Sequence, residues 1–157
     1  MKVRREPDGA IRLSLLSAEA AILRALPEQL RQVFTRRDSR DRVIARLFPP
    51  TYKDPKQEGE YRRLLGDDLL RRRLAGIAAF EKAIGPAKED ANGLELAIAP
   101  ADLDVWLCFI NDFRLVLGTL LDIQDDSWHD FDEKHPQARE FGLLEMLTWL
   151  EEMLLSG

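Results

Sequence analysis

Asn111, Asp112 and Arg114 break into the most apolar long segment of the chain, ADLDVWLCFINDFRLVLGTLLD. Polar groups in a helix expected to be buried are costly unless they are paired. At about 100° per residue, Asp112 and Arg114 lie about 160° apart on an α-helix, so they cannot bridge each other and must reach different neighbours. As structural locks, Asp112 would meet one of Arg62, Arg63, Arg71, Arg72 and Arg73, and Arg114 would meet Asp67 or Asp68. As chemistry, Asp112 would be a general acid or base, but the sequence places no histidine or second acid beside it. The trio therefore reads as a polar lock first and as a candidate site second, and no catalytic residue is assigned.

Two further clusters invite a cation or a nucleic acid. Counting from Asp122, the oxygen positions of an EF-hand loop fall on Asp122, Gln124, Asp126, the Trp128 carbonyl, Asp130 and Glu133. Against this, Ser127 stands where the loop needs glycine, His129 stands where it pairs through an aliphatic residue, and Pro136 falls early in the exit helix. His129 and His135, six apart in an acidic loop, are weak chelators, so neither metal nor cofactor is assigned. In RRDSRDRVIAR, Arg36, Arg37, Arg40, Arg42 and Arg46 surround a short helix that follows another, as in DNA-binding helix pairs. These five are the candidate nucleic-acid contact. Asp38 and Asp41 among them, and an isoelectric point near 5.2, favour a solvated or acid-paired face instead.

The elements that would position these groups follow from the pattern. KVRRE-PDG-AIRLSL predicts a hairpin, with Pro7 presetting a type I turn and Gly9 taking the positive φ of the bulge. Ser17 caps a helix that Pro27 should restart or kink, and Asp38 or Ser39 caps the next short one. From Gln57 to Ile84 a helical pattern returns, divided at Gly66, Asp67 and Asp68. GPAKEDANG is expected as a loop before a third strand at 94–99. Pro100 opens the apolar helix at the centre, and Pro136 starts the last one. On that last helix Leu143, Met146, Leu147, Trp149, Leu150, Met153 and Leu154 fill one arc, wide enough for core plus an interface at Trp149, Leu150, Met153 and Leu154. The expected fold is mainly α, a bundle of about five or six helices with a small two- or three-stranded antiparallel sheet from the N-terminal hairpin and residues 94–99.

Composition bounds the class. At 157 residues, with 45 % hydrophobic and 32 % charged, the chain fits one globular domain spanning 1–157. No run approaches 18 uncharged apolar residues and the start carries Glu6, Asp8, Arg12 and Glu19, so no membrane span or signal peptide is expected and the cytoplasm is the default. Cys108 as sole cysteine excludes an internal disulfide, and its apolar helix points to a buried, inert thiol. The net charge of -5 hides a balance of +6 over residues 1–94 and -11 over 95–157, which suits attraction between the two halves. No phosphate-cradling glycine loop, nucleophile elbow or metalloprotease motif occurs.

RLFPPTYKDP with EGEYRRLLGDDLL, then VWLCFINDFRLVLGTLLDI and LLEMLTWLEEMLL, resembles a bacterial domain-of-unknown-function family best known from actinobacteria. The similarity runs from the hairpin to the last helix. It rests on Leu47-Phe48-Pro49 with Tyr52 and Pro55, and on Trp106 with Asn111-Asp112, Arg114-Leu115 and Leu117-Gly118-Thr119. The resemblance implies genes beside an adaptor of the Clp protease and labels as transcriptional regulators, and carries over no catalytic or ligand residue. The function expected is a non-enzymatic cytoplasmic interaction or regulatory protein linked to protein quality control, with a protein partner and homo-oligomer formation. The alternative is a DNA-binding regulator using the basic helix pair at 27–47.

Overall fold

A computed structural model describes residues 1–35, 42–85, 87–91 and 93–156, apart from the side chains of Ile44, Gly66 and Asp67. The chain is mainly helical with a small antiparallel sheet. The sheet combines β1 (Lys2–Arg5), β2 (Ile11–Leu15), β3 (Lys88–Asp90) and β4 (Gly93–Ile98) in the order β1-β2-β4-β3. The helices are α1 (Ser17–Thr35), α2 (Arg42–Leu47), α3 (Pro55–Ile84), α4 (Leu103–Leu120) and α5 (Ala138–Leu155).

The β1–β2 turn has the predicted chemistry. The Gly9 N–H donates to the Glu6 carbonyl at 3.0 Å, the Glu6 N–H donates to the Ala10 carbonyl at 2.8 Å, and Gly9 takes φ +85°. β2 and β4 alternate in and out, so their pairing sets Ile11 against Ile98, Leu13 against Leu96 and Leu15 against Leu94, all buried. β3 is a fourth strand in the segment expected as a loop. Its three residues KED are all exposed, so an edge strand here carries no apolar alternation to announce it. Gly93 opens β4 at φ +124°, and a Cβ there would lie 2.0 Å from the Leu15 carbonyl oxygen.

α1 lies on β2 and β4, α3 packs on α1, and α4 packs on α2, α3 and α5. Pro27 does not end α1: Leu23, Leu26, Leu30 and Phe34 form one buried stripe across it, and packing outweighs the missing N–H. Nor do Gly66 and its neighbours divide α3, which runs unbroken for 30 residues from an N-cap at Asp54, whose carboxylate accepts the Lys56 N–H at 3.1 Å. The interior glycine costs about 1 kcal/mol, too little to interrupt a helix already propagating from both sides. At the centre, the Phe80 ring stacks on Phe109 at 3.9 Å and meets Trp106 edge-on at 4.7 Å. Among the described residues no helix is long and apolar enough to cross a membrane.

Candidate functional site

Asp112 is buried at 7 % exposure, and Arg73 of α3 donates to its Oδ1. The same guanidinium donates from Nη2 to the Leu47 carbonyl at 3.2 Å and lies 5.6 Å from the Phe48 ring centre. Arg62 adds a hydrogen bond to the Phe48 carbonyl at 3.1 Å. The Leu47-Phe48-Pro49 and Asn111-Asp112 signatures, more than 60 residues apart in sequence, thus meet through one arginine of a third element. Burial pushes the Arg73 guanidinium below its usual range, though an arginine stays charged in any case.

Arg114 takes a different partner from the one expected. It bonds Glu151, and its Nε donates to the Thr148 hydroxyl at 3.1 Å, both on α5, and does not meet Asp68 on α3; the side chain of Asp67, the other partner expected, lies outside the described residues. The reason is angular: Asp112 faces α3, so a side chain about 160° away faces the opposite neighbour. Burial lowers this guanidinium too. Asn111 is exposed, and so is Cys108, which corrects the expectation of a buried thiol. Asp104, Cys108 and Asn111 recur every three or four residues, a solvent stripe on a helix expected to be apolar nearly all round.

An open groove of about 660 Å³ lies between α2 and the second half of α4. Arg42, Arg46 and Arg114 line it with Thr119, Asp122 and Gln124. It joins the polar signature to the basic run, a juxtaposition that no spacing in the sequence reveals. Arg36, Arg37 and Arg40 lie outside the described residues. Arg42 and Arg46 are exposed, and Arg42 bonds Asp122 at 2.6 Å, which holds that carboxyl below its usual range.

Asp122 sits where α4 ends. Its own N–H reaches the Thr119 carbonyl at 3.3 Å and the Ile123 N–H reaches the Gly118 carbonyl at 3.0 Å, the two bonds of a Schellman motif. The position that usually holds glycine carries an aspartate at φ +53°. The rest of the acidic stretch makes local bonds. Asp125 accepts the Ser127 N–H and hydroxyl, and Asp132 accepts the Lys134 N–H. His129 stacks on Trp128 at 3.8 Å, while His135 packs edge-on against Phe141 at 5.3 Å. Among the described residues no three His, Cys, Asp or Glu side chains converge as metal ligands would.

The proposed α5 interface is divided by burial. Leu150 and Leu154 are fully buried in the core and belong to no external surface, whereas Trp149 is exposed and Met153 half-buried. Leu144, Leu147, Leu150 and Leu154 take the inward positions at helical spacing, which leaves little of the arc for a partner.

The oxidative stress regulator AosR of Mycobacterium tuberculosis and that of Mycobacterium bovis are each 28 % identical to this chain over 126 residues. A putative oxidative stress regulator AosR of Mycobacterium leprae has the same identity over the same length. Each match covers 73 % of this chain and 57 % of the relative, so the chain spans little more than half the length of the curated proteins it matches. No solved structure matches it. A family model described as a domain of unknown function, DUF2017, matches residues 1–156, and the chain belongs to that family.

Proposed function

We propose that this chain is a cytoplasmic regulatory module of an oxidative stress response that works by holding a protein partner, not by catalysis. The observation that carries the reading is its similarity, over 73 % of its length, to proteins named oxidative stress regulators. The geometry supports it, because Asp112 and Arg114, the residues best placed to do chemistry, spend their charge on holding α3 and α5 to α4. The test is a strain lacking the gene, challenged with peroxide and profiled for transcripts. The expected result is an altered transcript response that the wild-type gene restores; an unchanged response and unchanged survival would sink the reading. Pull-down of the tagged chain from the complemented strain, looking for protease adaptors, tests the finer link to protein quality control.

The groove supports a second reading, direct nucleic-acid contact through Arg42 and Arg46. Anisotropy of labelled duplex DNA at about 50 and about 200 mM salt separates the two, since phosphate contacts weaken steeply over that interval. Saturable binding that collapses at the higher salt favours DNA, and no binding at the lower salt leaves protein contact alone.

A further inference from the structure

We propose that the first half of α3 is a homodimer surface, on which a second copy of this chain packs antiparallel. Among the described residues, those α3 buries fully, Ile77, Phe80 and Ile84, all lie in its last third. Its 30 residues span about 45 Å at 1.5 Å each, so the helix overruns the core it serves. On the overrun, Leu64 is 70 % exposed, Leu65 41 % and Leu69 37 %; they point about 170°, 90° and 50° from the buried stripe, so Leu64 and Leu65 look toward solvent while Leu69 leans toward the core. Leu64 and Leu65, adjacent, exposed and unused by the core, are the apolar centre of this surface.

The charges beside the leucines fit a second copy. Glu60 and Arg71 are both exposed and, eleven residues apart, lie within about 20° of each other on one flank of the helix. They are equidistant from a point between Leu65 and the next residue. An antiparallel copy related by a two-fold axis at that point sets Leu64 and Leu65 of both copies together. It also sets Glu60 of each beside Arg71 of the other, because such an axis keeps like flanks together. Arg71 now bonds Asp68 of its own helix, an exposed pair that exchanges at little cost. Glu60 has no hydrogen-bond or ion partner among the described residues. From Tyr61 to Arg72 the face is only about 18 Å long, so the dimer is weak, with a dissociation constant of about 1 to 100 μM.

The proposal stands apart from the regulatory reading, since either can fail alone. Sedimentation velocity of the full chain from about 1 to about 300 μM brackets the affinity such a surface supports. The expected result is a mass rising from 18.0 kDa toward twice that value. Leu64→Gln with Leu65→Gln should weaken association at least about tenfold with the thermal midpoint unchanged, since both side chains are exposed. Glu60→Arg and Arg71→Glu should each weaken it, and the double reversal should restore it. A monomer at every concentration overturns the proposal. So does a dimer that ignores the leucine variants and dissolves with Trp149→Ala.

Discussion

α4 carries ion pairs in its middle and at its end, and water decides how different they are. The Asp112 side chain is 10 % exposed beside Arg73, while that of Asp122 is 63 % exposed beside Arg42. A buried carboxylate has given up its hydration and depends on its partner, whereas an exposed one recovers water as soon as the partner leaves. The same pair of residue types is therefore a structural necessity at one position and an adjustable surface contact at the other. Arg114 with Glu151 falls between, part-buried on both sides and backed by the Thr148 hydroxyl.

Asp112→Ala is the hardest blow to this gradient. It strands the Arg73 guanidinium in a half-buried niche and should cost about 3 to 5 kcal/mol, read as a lower urea midpoint at unchanged slope. A loss below about 1 kcal/mol would mean that water reaches the pair and that the middle of α4 is no different from its end. Asp112→Leu combined with Arg73→Met sharpens the point. With both charges replaced by apolar groups of similar length, most of the loss should return, because the penalty lies in the unpaired charge.

Arg114→Met should cost less, about 1 to 2 kcal/mol, since the methionine keeps the stem packing and Glu151 can turn toward solvent. If it matches Asp112→Ala in a urea melt, both pairs are interior ones and the gradient has only two steps. This partner was out of reach of the sequence for a plain reason. Helical angles show that Asp112 and Arg114 face different neighbours, but which helix lies on each side is a property of the packing. Asp112 was easier, because one of five arginines in α3 had to face it. Local chemistry was legible wherever it closed on itself: Pro7 and Gly9 announced their turn, and Leu13 and Leu96 their alternation. Signals that depend on what lies opposite were not. β3 is three exposed residues on an edge, Cys108 falls on the one stripe of α4 left to solvent, and the groove of Arg42, Arg46 and Arg114 exists only once α2 is folded against α4. Gly66 misled in the other direction, since it is a helix breaker by local rule and yet sits inside a helix held by its neighbours, while at Pro27 the helix does not restart but runs on.

Asp122→Asn is the gentlest test and probes the exposed end of the gradient. Asparagine tolerates the left-handed backbone, so the substitution removes the charge and leaves the cap geometry. Because Arg42 holds the folded carboxyl below its unfolded value, the contribution is fully present above the unfolded pKa of about 3.9 and is lost as pH falls through the folded value. Wild type and variant should therefore differ slightly in thermal midpoint at neutral pH and low salt. They should converge in about 1 M salt, where screening reaches about 3 Å, and again in acid below the folded pKa. A difference that survives both conditions would show that Asp122 acts through the backbone at the end of α4 and not through its charge, which would separate the cap from the ion pair at a residue where the structure superimposes them.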